Sequence, residues 1–129
     1  MIKDIVESLI KRKIVQFGLD DWDIGYEISQ EDSEEPAKSE FDFTIKKGKI
    51  FIYEKHPYYL LYPQMLELVL NHEFIEILFG KFLTQIDTLA ESMMDKNQLK
   101  MFQHGYHWWK EELINQLARI FYYLEECNS

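Results

Sequence analysis

The feature that most constrains this chain is a strongly apolar segment that also carries charged side chains. Residues 68–79 read Leu-Val-Leu-Asn-His-Glu-Phe-Ile-Glu-Ile-Leu-Phe, and eight of these twelve residues are large and apolar. They fall on every face of a helix, which is typical of a helix buried on most sides. Burying the unpaired carboxylates of Glu73 and Glu76 is costly. We therefore expect either a metal ion or an internal network of Lys, Tyr or Trp donors to neutralise them.

Residues 72–76 read His-Glu-Phe-Ile-Glu, with His72 and Glu76 four residues apart on one helical face. This pentapeptide resembles the HExxH signature of zincin metallopeptidases, with Glu in place of the second His. In that family the two ends of the pentapeptide bind zinc, and the internal Glu is the general base. The resemblance implies that His72 and Glu76 are zinc ligands and that Glu73 is the catalytic base.

A third ligand is expected from the last helix, because a catalytic zinc usually has three protein ligands. Residues 111–115 read Glu-Glu-Leu-Ile-Asn and resemble the gluzincin pattern of a third-ligand Glu followed four residues later by Asp or Asn. The resemblance implies Glu111 as the ligand and Asn115 as a residue that orients a ligand. Helical periodicity favours an inward direction for Glu112 instead, so both carboxylates stay candidates. Two further candidates are His104 and His107.

The flanking sequence predicts an α+β fold in a single domain over residues 1–129. A 3.6-residue apolar period predicts an N-terminal helix that ends at Gly18. Alternating apolar and polar residues predict three strands in one small antiparallel sheet, with a Gly-containing hairpin turn at residues 46–49. The strands are expected at residues 22–28, 41–45 and 50–54.

Three further helices are predicted after the sheet. The central helix is expected at residues 63–83 with Pro63 at its first position. Thr84 or Thr88 is expected to cap the second, and Gly105 to interrupt it. The last helix is expected to run from about residue 107 to 125 and to bury an apolar stripe. That stripe comprises Trp109, Leu113, Leu117, Ile120, Phe121 and Leu124. This order of elements resembles the minimal zincin core, in which the edge strand of the sheet binds peptide substrates.

The charge balance restricts the classes of partner. The chain has 14 Lys and Arg against 23 Asp and Glu, a net charge of −9. Phosphate contacts depend on Lys and Arg, so we expect neither nucleic-acid nor membrane binding, and a peptide or protein as the partner. Part of the acidic excess falls in residues 30–40, which are predicted to form a solvated loop.

The cysteine content and the N-terminal sequence indicate the compartment. Cys127 is the single cysteine, so no intramolecular disulfide can form. The first residues lack the continuous apolar region of a secretory signal. We therefore expect a cytoplasmic protein.

These observations support two main hypotheses of function. The first is a small zinc-dependent peptide hydrolase. The second is a non-enzymatic acidic interaction protein, built on a degenerate zincin-like fold, that binds a basic partner. A third hypothesis is an acidic decoy for a nucleic-acid-binding protein.

Overall fold

A computed structural model describes residues 2–61 and 64–128, and the side chains of residues 3–59 and 64–124. The predicted α+β order is confirmed: an N-terminal helix precedes three strands, and helices follow. Pro63, the predicted first position of the central helix, lies outside the described residues. The elements are α1 (Ile2–Gln16), β1 (Asp23–Ser29), β2 (Ala37–Asp42), β3 (Lys47–Tyr53), α2 (Pro57–Leu61), α3 (Met65–Met93) and α4 (Lys96–Asn128).

Helix α1 ends as its sequence predicts. Gly18 has a φ of 68°, a left-handed conformation that glycine adopts without steric cost. The amide of Leu19 donates to the carbonyl of Ile14 at 2.8 Å, which closes the helix end in the manner of a Schellman motif. The buried face of α1 packs against α3 and the sheet through Val6 and Ile10.

The sheet is mixed, so the prediction of an antiparallel sheet is wrong in one of its two pairings. The strand order is β1-β3-β2. β2 and β3 pair antiparallel, whereas β1 and β3 pair parallel. Alternation of apolar and polar residues indicates which face of a strand is buried, but not which strand lies beside it or in which direction. Central strand β3 contributes the fully buried Ile50 and Ile52.

The β2–β3 hairpin differs from its prediction in position. The turn occupies residues 43–46, with Lys46 at a φ of 51°, and Gly48 lies inside β3. Strand β2 begins at Ala37, within the segment predicted to be a solvated loop. Its side chains alternate between the protein interior and solvent, and small inward residues such as Ala37 and Ser39 weaken the apolar signal of such a strand.

The two long helices have other boundaries than the sequence predicts. Helix α3 continues through Thr84 and Thr88. The hydroxyl of Thr88 does not cap a new helix but donates to the carbonyl of Thr84 within α3. Helix α4 begins after a reciprocal pair of bonds between Asp95 and Gln98, a capping box. Gly105 lies within α4 and does not interrupt it. Among the described residues, no helix has the length and apolar character needed to cross a membrane.

Helix α3 is the centre of the fold, because the sheet, α1 and α4 all pack against it. Its fully buried side chains include Leu70, Phe74 and Ile75. Helix α4 faces α3 through Ile114 and Ala118, which the predicted stripe did not include, so the stripe is wrong for four of its six residues. Leu117 and Phe121 are half-buried. The other four residues of the predicted stripe are exposed: Trp109, Leu113, Ile120 and Leu124.

Candidate metal centre

One turn of helix α3 concentrates the acidic and imidazole groups of the site. His72, Glu73 and Glu76 each direct a potential ligand atom to one region, and these atoms lie within 4.8 Å of one another. Glu73 is only 4% exposed, and the other two side chains are half-buried. The helix is covered by the sheet on one side and by α4 on another. The site therefore sits at the meeting point of three elements.

Helix α4 contributes a second set of groups. The packing of α4 on α3 is fixed nearby by the fully buried Asn71, whose amide donates to the carbonyl of Ala118 at 3.3 Å. This packing brings Asn115 Oδ1 to 2.8 Å from His72 Nδ1. It also brings Glu111 Oε2 to 3.8 Å from His72 Nε2.

The hydrogen bonds of His72 are compatible with a cation at this site. Asn115 Oδ1 is an acceptor, so the Nδ1–H of His72 donates to it. In a neutral ring, Nε2 would then present a lone pair to the carboxylates of Glu76, at 3.2 Å, and Glu111, at 3.8 Å. Lone pairs facing carboxylate oxygens repel each other. Either a proton on Nε2 or a metal ion between Nε2 and the carboxylates relieves this repulsion.

Without a metal, Nε2 of His72 carries a proton. Burial disfavours the imidazolium form, but the hydrogen bond to Glu76 and the charges of Glu76 and Glu73 outweigh burial and raise the pKa of His72 to about 9. Burial also opposes ionisation of Glu76, yet its hydrogen bond and attraction to His72 lower the pKa of Glu76 overall. The metal-free site is therefore an ion pair at neutral pH.

Glu73 is held differently from Glu76. Its Oε2 atom is buried and has no hydrogen-bond partner among the described residues. Burial, followed by the nearby charge of Glu76, raises the pKa of Glu73 to about 8. A carboxyl group with this pKa is suited to exchange protons near neutral pH.

The donor set and its spacing fit a zinc ion. One imidazole nitrogen and two carboxylate oxygens are common zinc donors, and bonds of about 2.0–2.1 Å at tetrahedral angles place two ligand atoms about 3.3 Å apart. The distance from His72 Nε2 to Glu76 Oε1 is 3.2 Å, and that to Glu111 Oε2 is 3.8 Å. Glu76 is further held by the hydroxyl of Ser39, which donates to its Oε2 at 3.2 Å. The three side chains whose ligand atoms all lie within metal-binding reach of one another are His72, Glu73 and Glu76, and Glu111 Oε2 is a fourth potential ligand atom beside His72.

A cavity of about 660 Å³ opens over these groups. One wall is the edge strand β2 with residues 35–36 before it, and another is α4. The cavity also contains the basic side chains of Lys38 and Arg119. Neither Ser39 nor this wall was predicted from the sequence, because residues 30–40 were expected to form a loop. The alternation of Ala37, Ser39 and Phe41 with charged residues was the signal that could have revealed the strand.

The positions of the four candidates for the third ligand distinguish them from one another. Glu111 is the one of the two carboxylates that lies near His72. Glu112 and His104 are exposed, and neither is among the residues that line the cavity. His107 is exposed but lines the cavity one helical turn before Glu111.

No protein-family model, curated protein or solved structure matches this chain.

Proposed function

We propose that this protein is a zinc-dependent peptide hydrolase whose metal is held by His72, Glu76 and Glu111. One observation carries the proposal: Nε2 of His72 faces the carboxylates of Glu76 and Glu111, while Nδ1 of the same ring is hydrogen-bonded to Asn115. That arrangement is suited to a cation, and it lies beside Glu73, a buried carboxyl group without a partner for its Oε2 atom among the described residues. The resemblance of residues 72–76 to the zincin signature assigns the same roles.

Some side chains of the site would bind the ion, and others orient the side chains that bind it. Asn115 fixes the ring of His72, and Ser39 restrains the carboxylate of Glu76. A bound Zn²⁺ supplies Lewis acidity, which polarises a peptide carbonyl and lowers the pKa of water. Two ligand carboxylates reduce the net positive charge of such a site compared with the two histidines of the HExxH signature. We therefore expect a slower hydrolase than one with a His-His site.

Glu73 is the general base of this proposal. Its raised pKa of about 8 belongs to the metal-free site, and a nearby cation favours the ionised form. The ionised carboxylate accepts a proton from the attacking water as the water oxygen bonds to the peptide carbonyl carbon. Glu73 then returns this proton to the leaving amide nitrogen as the C–N bond breaks.

The edge strand supports a peptide as the substrate. Among the described strands, β2 pairs with β3 alone, so its other edge offers backbone groups to an extended chain. Residues 37–39 of this strand line the same cavity as Glu73 and Glu76. An extended peptide bound along β2 would lie across the metal-binding groups.

Hydrolysis of a fluorogenic peptide library by the zinc-loaded protein tests the proposal. The expected result is cleavage by the wild type and a loss of at least about 100-fold in kcat for Glu73→Gln, with zinc content unchanged. Glu91→Gln, on an exposed part of α3, is the control and should keep full activity. A zinc-loaded wild type that cleaves no peptide, or equal activity of wild type and Glu73→Gln, contradicts the proposal.

One observation favours a second candidate function. His72 Nε2 and Glu76 Oε1 already form an ion pair at 3.2 Å, so the site can satisfy itself with a proton. In that case the protein is a non-enzymatic interaction protein, and the acidic residues near the cavity, such as Glu35, would contact a basic partner. Absence of zinc binding by the purified protein favours this second function.

A further inference from the structure

A second surface of the α3–α4 pair is apolar and exposed. An apolar groove of about 420 Å³ runs between the two helices, lined among others by Phe79, Phe82, Trp109 and Leu113. We call the apolar surface that includes this groove the helical seam. Its residues are Phe79, Phe82, Ile86, Leu89 and Met93 on α3, and Trp109, Leu113, Leu117 and Ile120 on α4.

The spacing of the helical seam is that of helix-to-helix packing. On α3 its residues follow one another at intervals of three, four, three and four. This is the heptad spacing with which helices interdigitate in coiled coils and four-helix bundles. On α4 the intervals are four, four and three. The exposed fractions reach 58% at Phe82, 60% at Leu89 and 74% at Met93. Ile86 and Leu117 are half-buried, so most but not all of this row is exposed in the monomer.

We propose that the helical seam is the interface of a symmetric homodimer, in which α3 and α4 of two copies form a four-helix bundle. With roughly 150–250 Å² for each large side chain, the exposed fractions amount to on the order of 700 Å² of apolar surface. A stable interface of standard size buries about 800 Å² per partner. The helical seam is therefore large enough to supply most of a dimer contact.

The distribution of charge is compatible with a second copy as the partner. Residues 79–124 carry five basic and five acidic side chains, so the net charge of −9 lies entirely outside this part of the chain. A basic partner would find no excess of acidic groups here, and a nucleic acid no excess of basic ones. Two copies can approach without net repulsion, and a twofold axis makes the same surface complementary to itself.

The proposed dimer leaves the metal centre accessible. On α4, Glu111 and Trp109 are two residues apart, as are Asn115 and Leu113, which is about 200° around a helix. The helical seam and the cavity therefore lie on different sides of α4. Dimerisation and metal binding are separable in experiment for this reason.

Sedimentation velocity over a range of protein concentrations tests the dimer. The wild type should sediment with twice the monomer mass of 15.7 kDa. Phe82→Glu and Leu89→Glu should each raise the dimer dissociation constant by on the order of 100-fold, as expected for a charge placed in an apolar interface. Both residues are more than half exposed in one copy, so the variants should keep the wild-type circular dichroism spectrum.

Val15→Glu is the matched control, because Val15 is 66% exposed on α1, outside the helical seam. It should sediment as the wild-type dimer, and all variants should bind metal as the wild type does. A wild type that stays monomeric overturns the proposal. So does a dimer that survives both Phe82→Glu and Leu89→Glu, or one that Val15→Glu disrupts equally. If one seam variant fails to fold, the other gives the deciding result.

Discussion

His72 Nδ1 and Asn115 Oδ1 lie 2.8 Å apart and join the two long helices at the candidate metal centre. The bond orients the ring of His72 so that Nε2 faces Glu76 and Glu111, where the proposed metal would replace the proton on Nε2. Asn115→Ala removes this acceptor, and we expect a loss of roughly 10–100-fold in zinc affinity. Asn115→Asp keeps an acceptor at this position and should retain most of the affinity. Competition with a chromophoric chelator measures both, and equal affinities for Asn115→Ala and the wild type would argue against the orienting role.

The buried Glu73 makes the stability of the metal-free protein depend on pH. The pKa of Glu73 rises from 4.5 to about 8 on folding, and that of His72 from 6.5 to about 9. The folded protein therefore binds more protons than the unfolded chain between these values. We expect the free energy of unfolding to decrease as the pH rises from about 5 to 8, by at most about 1.4 kcal/mol per pH unit for each group.

Urea denaturation at a series of pH values measures this dependence. Glu73→Gln removes the carboxyl group of Glu73, so the free energy of unfolding of this variant should change little between pH 5 and 6.5. Above pH 6.5 it should still decrease, because His72 remains. Glu76 has a lowered pKa and contributes only at more acidic pH. A metal-free wild type that becomes more stable from pH 5 to 8 would show that Glu73 is not held as a buried acid.

The contact between α3 and the β2–β3 hairpin depends on the absence of a side chain at Gly80. A Cβ atom there would lie 2.7 Å from ring atoms of Phe41 and Phe43. We expect Gly80→Ala to lower the free energy of unfolding by about 1–3 kcal/mol, the usual cost of overpacking. Gly105→Ala is the control, because nothing lies within 4 Å of its Cβ position on α4. It should stabilise the protein by about 0.5–1 kcal/mol in the same denaturation experiment; equal effects of the two substitutions would contradict this packing.

The sequence predicted the parts of the fold that local periodicity controls. The end of α1 at Gly18 and the three-strand count are of this kind. The parallel pairing of β1 with β3 could not be predicted, because alternation carries no information on neighbouring strands. The boundary between α3 and α4 was misplaced because Thr88 can bond within a helix as well as cap one. The capping box of Asp95 and Gln98 was a stronger signal than Thr88 for the start of a helix.

The candidate site was predictable on α3 and only partly elsewhere. His72 and Glu76 are one helical turn apart, so their spacing in the sequence is enough to predict that the two side chains lie on the same face of α3. The choice between Glu111 and Glu112 depends on how α4 rotates against α3, which local sequence does not determine. Trp109 and Leu113 belong to the apolar stripe that was predicted to be buried, yet both are exposed. Helices that also pack between copies carry more apolar residues than the monomer core uses.

Zinc titration by isothermal calorimetry tests most directly whether His72, Glu76 and Glu111 hold one divalent ion. The wild type should bind one equivalent of Zn²⁺. Glu111→Gln should weaken this binding by at least about 10-fold, whereas Glu112→Gln, its exposed neighbour, should bind as the wild type does. Binding of no zinc by the wild type, or an equal loss of affinity in both variants, would contradict the three-residue site.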